Sequence, residues 1–303
     1  MSTTLPTLGW LGTGRMGAAM AGRLITAGHE VALWNRTKAK ATPLAERGGR
    51  SVETIHQLAA CDIVFVMVST PEDLEEVVSG PAGLLSAPVK PSLVVDCSTV
   101  SVESSARVRA AAAAAGVALL AAPISGNPHV VAAGEACMVV SGPAAAFDMA
   151  KPFLDEIAKV AVYAGEDEQS RLVKLCTNLY LGMMAQALVE VIVLAEKGGT
   201  DRAAFLDFLN ATVLGSEWVR RRTPELVKAE WILTFTTELL RKDFELGLAS
   251  ARDLEVPMPV ASAVHELIQS AIGRGLRDQD FLALYDLQAR DARLEPSAGQ
   301  PQP

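Results

Sequence analysis

Lys174 and Asn178 stand four residues apart in a stretch with helical periodicity, so both side chains project from one helix face. A lysine beside a hydride-transfer centre can protonate a developing alkoxide, or take the proton in the oxidation direction. An asparagine amide can hold the lysine or the substrate oxygen. Such a pair also occurs on solvated helix faces. Here Leu172, Val173, Leu175 and Cys176 flank the lysine, which favours burial beside a cleft. Near the start of the chain, Gly12-Thr13-Gly14-Arg15-Met16-Gly17 ends an apolar run and opens a helical pattern. That order of strand, glycine turn and helix seats a dinucleotide pyrophosphate on a helix N-terminus. Gly12 makes the tight turn, Gly14 lets backbone N–H groups approach the phosphates, and Gly17 lets helix and strand pack closely.

The end of the second strand discriminates between the two nicotinamide dinucleotides. A carboxylate there accepts from the ribose 2′-OH, and a basic residue accommodates a 2′-phosphate. The chain reads Asn35-Arg36-Thr37-Lys38-Ala39-Lys40, without a carboxylate. Arg36 offers a planar fork, Thr37 a hydroxyl and Lys40 a further charge, so NADP(H) is the expected cofactor. Val68-Ser69-Thr70 and Ser98-Thr99-Val100 end two later strands. They line the nicotinamide ribose and ring, or they are ordinary strand-end turn residues; spacing alone does not separate the two. Ser125-Gly126 offers a hydroxyl and a close backbone approach suited to a carboxylate, and equally reads as a plain turn. Lys242-Asp243 is either a charged pair on an exposed helix or a lysine reaching across a domain cleft to the cofactor.

The elements that must position these residues alternate in the first half. Strands are expected at 7–11, 30–35, 50–52, 62–68, 92–96 and 117–121. Helices are expected at 15–27, 38–47, 53–60, 71–78 and 101–115. This is a doubly wound parallel sheet with right-handed crossovers. Strands at 136–141 and 160–163 flank a helix at 144–157. A long helix runs from Glu168 to Lys197, with Leu172, Leu175, Leu179, Met183, Ala187, Val191 and Leu194 read as its apolar face, and Gly198-Gly199 ends it. The remainder reads as helices at 201–210, 216–228, 237–253, 259–274 and 279–291. The expected organisation is α/β: a Rossmann domain over 1–165, an interdomain helix over 166–197, an all-α domain over 198–293 and a disordered tail over 294–303.

The 303 residues carry a net charge of −8 and are half hydrophobic. That balance argues against nucleic acid and anionic membranes as partners. Cys61, Cys97, Cys137 and Cys176 form no CxxC pair and lie in apolar contexts, so they read as reduced, buried side chains. No metal site is expected from them or from the scattered histidines. With no signal-peptide pattern and no uncharged 18-residue apolar run, a cytoplasmic protein is expected.

Taken together, these stretches resemble the β-hydroxyacid dehydrogenase family, which includes 3-hydroxyisobutyrate dehydrogenases and glyoxylate/succinic semialdehyde reductases and is related to 6-phosphogluconate dehydrogenase. The resemblance runs from Leu8 to Asp291 through the glycine fingerprint, Asp96-Cys-Ser-Thr99, Ser125-Gly126, Lys174-x-x-x-Asn178 and Lys242-Asp243. Trp218, two residues after Ser216, resembles a cavity-lining tryptophan segment. The resemblance implies that Lys174 is the general acid/base with Asn178 as partner, that Ser125 and Gly126 anchor a substrate carboxylate, and that Lys242 helps hold NADPH. It implies a small carbonyl substrate and a homodimer or dimer of dimers. This chain departs from the pattern in places. The substrate turn continues as Asn127-Pro128-His129, which stiffens it and adds an amide. The glycines that usually precede the lysine are replaced in Glu168-Gln-Ser-Arg-Leu-Val-Lys174. Imine reductases share the architecture but usually carry Asp or Tyr at the lysine position, so Lys174 favours a carbonyl, while the unusual turn leaves C=N reduction open. A non-catalytic NADP(H)-sensing or interaction module is the third reading, against which Lys174 and Asn178 speak.

Overall fold

A computed structural model describes residues 6–294. Of the expected tail over 294–303, all but Leu294 lies outside the described residues. The chain divides into two compact units, Met1–Cys176 and Thr177–Pro303.

The first unit is built on nine strands. They are β1 (Leu8–Leu11), β2 (Val31–Trp34), β3 (Arg50–Ser51), β4 (Ile63–Val66), β5 (Leu93–Asp96), β6 (Ala118–Ala121), β7 (Ile124–Ser125), β8 (Cys137–Ser141) and β9 (Val160–Gly165). The sheet order is β3-β2-β1-β4-β5-β6-β8-β7, with β9 on β8. Strands β3 through β6 are parallel, the doubly wound arrangement expected. β8 runs antiparallel to β6 and β7. Between β6 and β8 lie only the two-residue β7 and the five-residue helix Pro128–Ala132, too little to cover a parallel crossover, so the chain returns antiparallel. β1, β4 and β5 are buried at every position, as apolar runs covered on both faces must be.

The helices of this unit are α1 (Arg15–Thr26), α2 (Thr42–Ala45), α3 (Ile55–Leu58), α4 (Pro71–Ser79), α5 (Val102–Ala114), α6 (Pro128–Ala132) and α7 (Ala144–Ile157). One core gathers Trp10, Met20, Leu24, Phe65 and Phe153 on one side of the sheet; a second gathers Leu11, Leu58, Val66, Leu74 and Val108. The helix expected over 38–47 is instead a 3₁₀ turn, Lys38–Lys40, followed by α2. Pro43 lacks the N–H that a continuous helix needs, so the pattern breaks ahead of it. The helix expected over 53–60 begins only after Thr54, whose hydroxyl and Gln57 form a reciprocal capping box.

α8 (Gln169–Lys197) begins in the first unit and continues into the second. The division between the units falls inside this helix, within the 166–197 segment expected to join two domains. The buried face of the helix differs from the one expected. Leu175 and Leu179 are buried, but Ala187, Val191 and Leu194 are exposed. The buried stripe passes instead through Ala185, Leu188, Val189, Ile192 and Val193. Successive steps of four residues advance about 40° each around a 3.6-residue helix, so a run of such steps winds off the starting face. By length and composition α8 could cross a membrane, with a mean hydropathy of 1.6 in its most apolar window, yet half of that window is buried in protein. Cys176 lies on the exposed face, and Cys137 is exposed at the start of β8. Of the four cysteines expected to be buried, only Cys61 and Cys97 are, because apolar sequence neighbours do not specify which face a residue takes.

The second unit packs α8 with α9 (Arg202–Ala211), α10 (Glu217–Lys228), α11 (Thr237–Asp253), α12 (Pro259–Gly273) and α13 (Leu284–Asp291). α8 and α11 approach closely at two glycines. A Cβ on Gly182 would stand 2.4 Å from the Phe244 ring, and one on Gly247 would stand 2.7 Å from Leu179. The 279–291 segment opens as a 3₁₀ turn at Phe281–Ala283 because the Asp280 carboxylate accepts from the Leu282 N–H. That buried carboxylate also pairs with Arg222 at 2.6 Å.

Gly182→Val should destabilise the protein. A side chain at Gly182 has no space beside the buried Phe244, and such overpacking costs about 1–3 kcal/mol or more. Replacing glycine by valine in a helix recovers less than about 1 kcal/mol of propensity. Urea denaturation should show a lower midpoint with little change in slope; a parent-like midpoint contradicts the packing described.

Candidate active site

The glycine turn is bound to the sheet on three sides. The Gly12 N–H donates to the Trp34 carbonyl at 2.9 Å. The Gly12 carbonyl accepts from the indole N–H of buried Trp10 at 2.9 Å. The Thr13 N–H donates to the Asn35 side-chain oxygen at 2.8 Å, and the Asn35 amide in turn donates to the Thr37 carbonyl at 2.9 Å. Asn35 therefore ties the turn to the end of β2. Gly12 has φ +93°, and a Cβ there would lie 2.1 Å from the Met67 carbonyl oxygen. A Cβ on Gly17 would lie 1.9 Å from the Gly12 carbonyl. Both positions admit only glycine. Gly14 is different: a Cβ would meet nothing within 4 Å. Gly14 is the N-cap of α1, with no side-chain cap on the helix's first N–H groups, and Arg15 begins the helix exposed. Met16 is half-buried against the core behind it.

These features fit a dinucleotide. The hydroxyl oxygen of Thr13 is buried and has no hydrogen-bond partner among the described residues. Beside it, the uncapped helix terminus carries the partial positive charge that receives a phosphate. At the end of β2, Arg36, Thr37 and Lys40 are exposed. Arg36 pairs with Asp73 at 3.1 Å, with 77% of its side chain exposed, so the pair contributes little and leaves the guanidinium available.

The strand-end residues divide by what they bind. Ser98 is fully buried, and its hydroxyl accepts from the Val68 N–H at 3.0 Å, which joins the ends of β4 and β5. The Thr70 hydroxyl accepts from the Asp73 N–H at 3.1 Å and caps α4. Ser69 is exposed and Thr99 half-buried at the same carboxyl edge of the sheet. This edge is where ligands of open α/β sheets lie. Ser125 is exposed on β7 opposite Cys137, and Gly126 follows at φ +142°. The Asn127 side-chain oxygen accepts from the N–H groups of both His129 and Val130 at 3.0 Å. It caps α6, so the oxygen of the added amide is engaged in local structure.

Lys174 is buried at 9% exposure in the second turn of α8. The residues just ahead of it are held by side-chain contacts. Glu168 pairs with Arg109 at 2.6 Å. The Ser170 hydroxyl donates to the Ala121 carbonyl at 2.9 Å and meets the Ser141 hydroxyl at 2.8 Å. Arg171 is 1% exposed and donates to the Asp96 carboxylate, the Ser98 carbonyl and the Ser105 hydroxyl.

In the second unit, Asn178 is buried and its amide donates to the Asp243 carboxylate. The other Asp243 oxygen has the Lys242 ammonium at 3.4 Å and no hydrogen-bond partner among the described residues. Trp218 is half-buried, its ring 6.3 Å from Phe281. Asp243 was not among the expected site residues. Its signal lay in the pattern Leu240, Asp243, Phe244, Gly247, Leu248, in which a carboxylate occupies an apolar stripe. Arg171 was likewise not singled out, and Asp96 was named only as part of Asp96-Cys-Ser-Thr99.

Residues 7–165 match the profile described as the NAD binding domain of 6-phosphogluconate dehydrogenase. Residues 169–288 match the NAD-binding domain of NADP-dependent 3-hydroxyisobutyrate dehydrogenase. Glyoxylate/succinic semialdehyde reductase 2, chloroplastic, of Arabidopsis thaliana is 32% identical over 280 residues, covering 92% of this chain and 78% of that protein. 3-Hydroxyisobutyrate dehydrogenase of Pseudomonas aeruginosa is 29% identical over 268 residues, covering 86% and 90%. Among solved structures, Mycobacterium tuberculosis 3-hydroxyisobutyrate dehydrogenase with L-serine superposes with a TM-score of 0.84 at 26% identity, covering 94% of this chain and 99% of that one. With its Rossmann sheet, its glycine turn shaped for a dinucleotide and both profiles matched, the chain belongs to the β-hydroxyacid dehydrogenase family of NAD(P)-dependent oxidoreductases acting on hydroxyl donors.

Proposed function

We propose that this protein reduces a small aldehyde- or keto-acid with NADPH, reversibly as a 3-hydroxyacid dehydrogenase, with Lys174 as the general acid/base. The observation that carries the reading is a buried lysine in the second turn of α8, the helix held to the carboxyl end of β5 through Arg171. The named relatives act on carbonyl and hydroxy acids of this size, glyoxylate and succinic semialdehyde among them. Gly12, Thr13, Gly14, Arg15 and Gly17 would hold the pyrophosphate. Arg36, Thr37 and Lys40 would hold a 2′-phosphate, and Ser69 and Thr99 would flank the nicotinamide half. When bound, the nicotinamide cofactor would supply or accept a hydride at the substrate carbon.

The chain's own residues do the rest. Lys174 donates a proton to the carbonyl oxygen in reduction and withdraws it from the hydroxyl in oxidation. Asn178 projects from the same helix face one turn on. Asp243, accepting the Asn178 amide, leaves the asparagine carbonyl directed away from it. Ser125 and the Gly126 backbone receive the substrate carboxylate. A cytoplasmic homodimer or dimer of dimers is the proposed setting.

Three variants test this reading, assayed with NADPH and NADH on glyoxylate, succinic semialdehyde, methylmalonate semialdehyde, tartronate semialdehyde and a cyclic imine. Lys174→Ala should lower kcat by roughly 10²–10⁴-fold while NADPH still binds; near-normal turnover sinks the assignment, and a cyclic imine outrunning every acid redirects it to C=N reduction. Arg36→Ala should weaken NADPH about ten- to a hundredfold through loss of charged hydrogen bonds, and leave NADH unchanged. Equal effects on both cofactors argue against a 2′-phosphate contact. Gly14→Ala should fold normally, since its Cβ meets nothing, yet weaken both nucleotides, as read by quenching of tryptophan fluorescence. An unchanged affinity places the pyrophosphate elsewhere.

A further inference from the structure

The Arg171–Asp96 ion pair is buried on both sides, with 1% and 0% side-chain exposure. A charge so enclosed persists only when its donors are satisfied, and Arg171 reaches three acceptors on two segments. Its Nη2 reaches Asp96 at the end of β5, its Nη1 the Ser98 carbonyl just beyond, and its Nε the Ser105 hydroxyl on α5 at 3.0 Å. The network continues outward. The other Asp96 oxygen accepts from the Ser98 N–H at 3.0 Å, and the Ser98 hydroxyl accepts from the Val68 N–H at 3.0 Å. One guanidinium thus connects the start of α8 to the ends of β4 and β5. Lys174 follows Arg171 by three residues and shares its buried face. Glu168 and Ser170 pin the same turn to Arg109 and to the Ala121 carbonyl. The turn ahead of Lys174 thus has three side-chain anchors.

We propose that Arg171 is a positioning residue for the reaction: through Asp96 and Ser98 it fixes the Lys174 ammonium relative to the two strand-end loops, Val68–Thr70 and Ser98–Thr99. This rests on the reading of Lys174 as the proton donor. The planar fork matters, because one ammonium cannot span the three acceptors.

The test uses Arg171→Gln and Arg171→Lys in the full chain, with glyoxylate and succinic semialdehyde as substrates. Folded Arg171→Gln should lose kcat tenfold or more, keep NADPH affinity within threefold, and show a larger primary isotope effect with 4-deuterated NADPH. The Val68 and Ser98 amides should exchange hydrogen faster. Arg171→Lys should recover part of each change. A purely structural role lowers the folded fraction without moving the isotope effect. Parent-like kcat and isotope effect in folded Arg171→Gln overturn the proposal. Should that variant not fold, Ser105→Ala removes a single contact, and kcat should fall two- to fivefold at constant NADPH affinity; parent-like values overturn the proposal. Should neither substrate turn over, unchanged protection at Val68 and Ser98 overturns it. Lys174→Ala, run alongside, separates the two readings: surviving turnover there refutes the proton donor itself, whereas an inactive Lys174→Ala with a parent-like Arg171→Gln refutes only the positioning.

Discussion

A buried guanidinium cannot be left half-satisfied, and that constraint organises the first unit. Removing one partner of such a pair typically costs about 3–5 kcal/mol, because the remaining charge has no water to return to. Arg171 therefore dictates where its acceptors stand. Asp96, the Ser98 carbonyl and the Ser105 hydroxyl converge on it, and Ser98 carries the constraint on to Val68. The two loops at the carboxyl edge of the sheet and the start of the lysine-bearing helix are one hydrogen-bonded piece.

The cofactor half of the first unit is held differently, by sterics and neutral hydrogen bonds. Gly12 and Gly17 exist because no Cβ fits beside the Met67 and Gly12 carbonyls. Trp10 and Asn35 then brace the turn from below and from the side. What remains open is the Gly14 surface and one buried hydroxyl, on Thr13. A rigid turn with a small polar opening pre-organises the donors, so little ordering remains to be done when a phosphate arrives.

In the second unit the charged residues follow the same logic on a smaller scale. Asp243 sits in the apolar stripe of α11, with the Asn178 amide on one oxygen and the Lys242 ammonium 3.4 Å from the other. A buried carboxylate held by an amide fixes the orientation of that amide, which a solvated helix face cannot do.

The fold and the nucleotide turn were legible because they rest on local rules. Alternating apolar runs and glycine spacing follow from backbone sterics, and those act between neighbours in sequence. Lys174, the proposed acid, was likewise picked out by its spacing to Asn178. The face of α8 was not: a repeat of four residues does not match 3.6 residues per turn, so Val191 and Leu194 emerge at the surface. Nor was the engagement of Asn127 and Thr70 in caps, since the same oxygen can accept from a ligand or from the next helix turn. The sequence by itself determined the elements, their parallel winding and the residue types available for hydride and proton transfer. Only the tertiary structure decided that Arg171 pairs with Asp96 and that Asp243 holds the Asn178 amide. Polar pairing across 65 or more positions depends on chain folding, and no local pattern encodes it.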